Sequence, residues 1–248
     1  MPGMEPSQAQ ASGFPPAAMA RINAAADQYD PEAKGWPALK RVWWLYRIVC
    51  VRKVVVSGGH HSVPGPRIIV GNHARAGDGF LLAFVVGQFH ALTQAESFTL
   101  PFFGKLLARG GQIPVIPGRG REALDRAKRV LARGGTILVY PEGRLSHGGE
   151  MLRGKTGAAR LAFESGAPLQ PIAVHVDERH CRTLHGHFYD RPTVGVWQVG
   201  GPAYVSIGEP WYPFVGQTTV VVRDLRRATD EIMARVRSLL ELARCSAG

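Results

Sequence analysis

Short β-branched and apolar runs bounded by Gly or Pro alternate along this chain with longer segments whose apolar positions recur every three or four residues. Val54 to Val56, Ile68 to Val70, Gln112 to Ile116, Thr136 to Tyr140, Leu169 to Val176 and Ala203 to Ile207 have the strand pattern. Gly79 to Val86, Arg121 to Arg133 and Thr156 to Ser165 have the helical one, and Ala123, Leu124, Ala127, Val130 and Leu131 share a face of the second. A last helix is predicted from Val220 to Cys245, with Leu225, Ile232, Val236 and Leu239 on one stripe and Arg226, Arg227, Arg235 and Arg237 largely outside it. The alternation predicts a single α/β domain, a mixed and mostly parallel sheet flanked by helices. Residues 178 to 215 otherwise read as irregular, and no internal repeat or linker divides the chain.

The amino-terminal part differs in kind. Residues 1 to 16, rich in Pro, Gln, Ser and Ala, have too few bulky apolar groups to offset the entropy of ordering and read as a disordered tail. Residues 17 to 53 read as amphipathic helices, with the main domain spanning 54 to 248. Between Trp36 and Lys53, the cations Lys40, Arg41, Arg47 and Arg52 fall within roughly 140° of arc at 100° per residue, opposite Leu39, Val42, Trp43, Leu45, Tyr46 and Val49. Trp44, Ile48 and Val51 blur that polar arc. Trp with Arg and Lys suits a helix lying in a headgroup layer as well as one packed on its own domain.

Composition narrows the class. With 248 residues, 45% hydrophobic and 20% charged, the chain is globular rather than a disulfide-stapled mini-protein or a disordered one. Its three cysteines, Cys50, Cys181 and Cys245, are too scattered for a disulfide framework or a clustered metal site, which points to a reducing compartment. A formal charge of +11 favours an anionic partner: nucleic acid, an acidic membrane surface or a phosphorylated substrate. No segment has the roughly 20 apolar residues of a bilayer span, and the start lacks the order of a signal peptide. The expected location is therefore the cytoplasm or the cytoplasmic face of a membrane, as a peripheral or monotopic protein.

Three segments carry candidate chemistry. In Asn72-His73-Ala74-Arg75-Ala76-Gly77-Asp78, a histidine ends a strand and an aspartate follows five residues later. On one helix that step would rotate the two apart by about 140°. If the chain turns between them, Asp78 can accept from the His73 Nδ1–H, leaving Nε2 to take a proton: a general-base pair. The same residues also fit a buried histidine beside a helix amino-terminal aspartate. In the second segment, Tyr140-Pro141-Glu142-Gly143-Arg144-Leu145-Ser146 delivers Glu142 into a glycine turn at the end of a strand, where open α/β sheets bind ligands. In the third, Gln112 to Arg121 runs from a strand into a loop holding Arg119 and Arg121, whose planar forks suit phosphate.

Taken in this order, the segments resemble the signature blocks of the glycerolipid acyltransferases, the 1-acylglycerol-3-phosphate (lysophosphatidate) acyltransferase family. Those blocks are Asn-His-x4-Asp, Gly-x-Ile-Pro-Val ending near an Arg, Phe-Pro-Glu-Gly-Thr-Arg-Ser and a closing Val-Pro-Ile strand. Here they stand as Asn72 to Asp78, Gly111 to Arg119, Tyr140 to Ser146 and Gln170 to Val174. The resemblance covers about residues 54 to 176. It implies an O-acyltransferase in which His73 deprotonates the hydroxyl of a lysophospholipid, most simply 1-acylglycerol 3-phosphate, as it attacks an acyl thioester, while Asp78 orients the ring. Arg119, Glu142, Gly143 and Arg144 would hold the acceptor. The donor would be acyl-coenzyme A or acyl carrier protein, a co-substrate and possible partner, with an anionic membrane surface as the other; no metal, resident cofactor or nucleic acid is expected. Two departures bear on the acceptor, since glycerol 3-phosphate or another lysolipid or glycolipid would use the same chemistry. Ile116-Pro117 precedes Arg119 where the family has Asp-Arg close behind Val, and Arg144-Leu145 replaces Thr-Arg, with Arg121 as a fallback cation.

Two other patterns compete. Gly149 to Thr156 satisfies Gly-x4-Gly-Lys-Thr, a nucleotide hydrolase signature, but no strand runs directly into it. His180, Cys181, His185 and His187 could seat zinc, yet they lack a Cys-x-x-Cys partner. Cations spread over many segments also argue against a nucleic-acid module.

Overall fold

Alternate residues of the central strands belong to different apolar clusters, and this dictates three layers. Ile69 and Leu138 join one cluster, whereas Ile68, Val70, Ile137 and Val139 join the other. Side chains of a strand alternate between faces, so a run that is apolar throughout must be covered on both. The computed structural model describes residues 14–61, 65–146, 150–189 and 191–247.

The strands are β1 (Lys53–Ser57), β2 (Arg67–Gly71), β3 (His90–Gln94), β4 (Ile113–Val115), β5 (Thr136–Val139), β6 (Leu169–His175), β7 (Cys181–Phe188), β8 (Arg191–Gln198) and β9 (Pro202–Ile207). Seven of them form one sheet in the order β1-β9-β6-β2-β5-β3-β4. From β6 to β4 all neighbours are parallel; β9 runs antiparallel to β6, and β1 follows β9. The helices are α1 (Pro16–Ala26), α2 (Trp36–Cys50), α3 (Asp78–Val85), α4 (Phe103–Arg109), α5 (Gly120–Ala132), α6 (Gly157–Ser165) and α7 (Val222–Cys245). Trp36, Leu39 and Trp43 of α2 cover one face together with α3 and α4, while α5, α6 and α7 cover the other.

Several expectations are corrected. A disordered tail is expected up to residue 16, but Phe14 is buried against Ala18, Met19, Ile22 and Ile116, so order begins earlier; residues 1–13 lie outside the described residues. The apolar side of α2 is divided: Trp36, Leu39 and Trp43 enter the core, whereas Val42, Trp44, Leu45, Ile48 and Val49 stay exposed. The stretch that reads as irregular holds the β7–β8 hairpin, paired from Cys181–Gln198 to Phe188–Arg191. Its β7 strand is mostly exposed and its β8 strand mostly half-buried, so no sustained apolar run announces it. Nor do β3 or α4 stand out in the sequence.

One buried and one half-buried histidine give stability a pH dependence. His90 is buried and its Nδ1–H donates to the Gly111 carbonyl at 2.7 Å. Burial, partly offset by that bond, lowers its pKa, and burial followed by the Arg75 charge lowers that of His175. A depressed folded-state pKa means that the unfolded chain takes up the proton first, so this stabilisation is complete above about pH 6.5 and is lost as pH falls. Thermal melts from pH 7.5 to 5.5 should show a declining midpoint, with a shallower slope in His90→Gln; identical slopes would refute this assignment.

Candidate active site

Strand register brings the first two signature segments together. β2 and β5 are parallel with Val70 opposite Val139, so three further residues on each strand set His73 beside Glu142. The His73 main-chain N–H donates to Glu142 Oε1 at 2.9 Å, and Leu152 N–H donates to Oε2 at 2.7 Å. In return, Ser146 donates its N–H and its hydroxyl to the His73 carbonyl at 2.8 and 3.2 Å. Burial pushes the Glu142 carboxyl up, and its two amide donors pull it back. With each oxygen engaged by a main-chain donor, Glu142 clamps the His73 backbone to the Leu152 segment. Gly143, exposed and at φ +69°, turns the chain out of that clamp.

His73 and Asp78 do meet. Asp78 begins α3 and is fully buried; its Oδ2 lies 3.5 Å from His73 Nδ1 and accepts the Arg75 N–H at 2.8 Å. The turn between them is tight because α2 presses on it: a Cβ at Gly77 would lie 2.5 Å from the Tyr46 hydroxyl oxygen. From the other side Val196 of β8 accepts the Ala76 N–H at 2.8 Å. The His73 ring stacks on Tyr140, with centroids 4.0 Å apart and planes 6° from parallel. Burial raises the Tyr140 pKa well above normal, so its hydroxyl stays neutral. The His73 side chain is 22% exposed, and Nε2 bonds to no described residue. Asn72, whose role the sequence did not reveal, extends the sheet by exchanging 3.0 and 2.9 Å bonds between its side-chain amide and the Val174 main chain.

The expected phosphate-binding cations are only partly assembled. Arg119 follows β4, with β3 and β5 between it and β2. Its guanidinium forms a two-point pair with Glu122 at 2.5 and 2.6 Å and donates to Asn23 at 3.2 Å. The fallback Arg121 pairs with Glu164 and Asp125. Arg144, exposed, directly follows Gly143. Sequence reasoning missed Lys155, whose Nζ would be 2.8 Å from a Cβ at Gly143. Its only signal was the Gly-Lys-Thr string that suggests nucleotide binding. That string departs from a phosphate cradle: β5 ends at Val139, Gly154 packs on Met233 and Thr229 of α7, and the Lys155 N–H donates to Pro141, while Gly149 lies outside the described residues. Arg75 was also missed; buried, it donates to the Val176 carbonyl and to Cys181 Sγ. Among the described residues no group of three metal-ligating side chains forms, so the zinc pattern is not assembled.

Comparison with known proteins places this geometry. A model of the Acyltransferase family matches residues 53–175. The chain is 30% identical over 137 residues to a 1-acyl-sn-glycerol-3-phosphate acyltransferase of Pseudomonas aeruginosa, covering 52% of each. It is also 30% identical over 149 residues to a lyso-ornithine lipid O-acyltransferase of the same organism, covering 58% of this chain and 57% of that one. The chain thus spans about half the length of the curated relatives it matches. The crystal structure of a 1-acyl-sn-glycerophosphate acyltransferase from Thermotoga maritima shares the fold, with a TM-score of 0.63 at 22% identity over 84% of this chain and 79% of that one. The strands that carry His73 and Glu142, and the turn that carries Asp78, all lie within the matched span, residues 53–175, which is an Acyltransferase-family domain.

Proposed function

We propose that the protein moves a fatty acyl group from an acyl thioester, on coenzyme A or an acyl carrier protein, to the free hydroxyl of a lysophospholipid. One observation carries this reading: a histidine paired with a buried aspartate, its Nε2 without a partner among the described residues, at the carboxyl edge of the sheet's parallel strands. His73 Nε2 takes the hydroxyl proton as the alcohol oxygen bonds to the thioester carbonyl carbon. Asp78 holds the tautomer and stabilises the imidazolium. The carbon–sulfur bond then breaks and the ring proton passes to the departing thiolate, so neither a covalent acyl-enzyme nor a cofactor is required. Arg144 and Lys155, flanking Gly143, supply positive charge for an anionic acceptor headgroup.

Purified protein incubated with acyl-coenzyme A or acyl carrier protein and a panel of lysolipids tests the proposal. Acylated 1-acylglycerol 3-phosphate is the expected product; no acylation of any lysolipid with either donor would overturn it. The pairing of Arg119 with Glu122 favours a second acceptor, one lacking a phosphate monoester, because that guanidinium is already neutralised. Faster turnover of lyso-ornithine lipid than of the phosphate acceptor would select that reading.

Exposed Trp44, Leu45, Ile48 and Val49 of α2, beside Lys40 and Arg41, form the surface that would rest on the lipid carrying the acceptor. Among the described residues no helix is long and apolar enough to cross a membrane. Replacing Trp44 and Ile48 with Glu should weaken sedimentation with anionic vesicles at least about tenfold, since each apolar side chain withdrawn forfeits about 1.5–3 kcal/mol. Equal sedimentation would move the contact elsewhere.

A further inference from the structure

On the face covered by α5, away from the His73 turn, lies a cavity of about 280 Å³ lined by Tyr29, Pro31, Arg126, Arg129, Val130 and Arg133. Arg126, Arg129 and Arg133 stand three and seven residues apart, a spacing that puts them on one side of the helix and its end. None of the three forms an ion pair with a described carboxylate. Nearby acids are engaged: Glu122 binds Arg119, Asp125 binds Lys128 and Arg121, and Asp30 accepts the Glu32 and Lys34 N–H groups. The helix's negative end, worth about half an elementary charge, offsets only part of three guanidiniums.

Two donors at this cavity also lack acceptors. The Tyr29 hydroxyl and Arg126 Nη1 are both buried without a hydrogen-bond partner, although the Arg126 guanidinium lies 5.1 Å from the Tyr29 ring centroid. A buried donor left unpaired costs about 1–3 kcal/mol. An anion with several acceptor oxygens would pair both donors and the surplus charge together, and guanidinium forks match phosphate geometry.

We propose that Tyr29, Arg126, Arg129 and Arg133 form a phosphate-binding site separate from the His73 centre, taking a phosphate group borne by a soluble ester or a lipid headgroup. Inorganic phosphate is the first probe, titrated calorimetrically into the full chain. Saturable binding should weaken about tenfold or more in Arg129→Gln/Arg133→Gln, whose side chains lie at the surface, and measurably in Tyr29→Phe. No saturable binding, unchanged affinity in the double variant, or a loss confined to Arg144→Gln would overturn the assignment. Vesicles of phosphatidylcholine with and without phosphatidic acid then separate the sources. Phosphate-competed vesicle binding that the double variant loses identifies a lipid headgroup; phosphate binding with unaltered vesicle binding identifies a soluble ester. The site stands independently of the transfer chemistry, because phosphate affinity is read without turnover.

Discussion

Replacing His73 with alanine is expected to lower acyl transfer by about 10²–10⁴-fold, the usual contribution of a positioned general base, while leaving the fold intact. The ring is partly exposed and its main packing partner is Tyr140, so its loss opens a small gap rather than a large cavity. The backbone clamp survives, since Glu142 and Ser146 engage the His73 main chain and not its ring. Asp78→Asn should give a similar loss for a different reason. Asn can still accept the Arg75 N–H, but it is neutral and so stabilises the imidazolium far less when the proton arrives. Circular dichroism and melting temperature near native, together with transfer measured on whichever acceptor proves active, check both variants. Native rates in His73→Ala would remove the imidazole from the mechanism.

The second large effect is expected at Glu142. Its two oxygens serve two separate main-chain donors, His73 and Leu152. In Glu142→Gln the side chain offers one oxygen and one NH2 group, leaving one amide facing another donor, at about 1–3 kcal/mol of stability. Glu142→Ala would orphan both amides. Displacing the His73 backbone by even about 1 Å would cost on the order of 10²-fold in rate. Glu142→Gln should therefore lower kcat while leaving KM for the acceptor nearly unchanged. A rise in KM at constant kcat would mark Glu142 as a headgroup contact. The two outcomes separate a clamp from a binding residue.

The same clamp shows how legible the site was. The block Tyr140 to Ser146 stood out in the sequence as a strand running into a glycine turn, and its place beside the Asn72 to Asp78 block followed from the rule that ligands gather at the carboxyl edge of parallel strands. The function of Glu142 did not follow, because a buried carboxylate bonded to amides and an exposed one facing a ligand have the same letters and spacing. Arg119 is parallel: in the sequence its guanidinium counts as available, and a glutamate one helical turn onward neutralises it. Lys155 reads the other way, since a string that suggested nucleotide binding places its ammonium beside Gly143.

Local pattern alone was enough for the layered α/β class, most central strands, α5, α6, α7 and the chance for His73 and Asp78 to meet across a turn. Periodicity and glycine placement are properties of neighbouring residues, so they are written in the chain order itself. Only tertiary packing decided which side of α2 enters the core, that β7 and β8 form a hairpin against the His73 to Asp78 turn, which cations remain unpaired, and what Glu142 holds. Each of these depends on groups far apart in sequence competing for the same partner, and the winner is set by distance in space and by the cost of leaving a buried donor or charge unmatched.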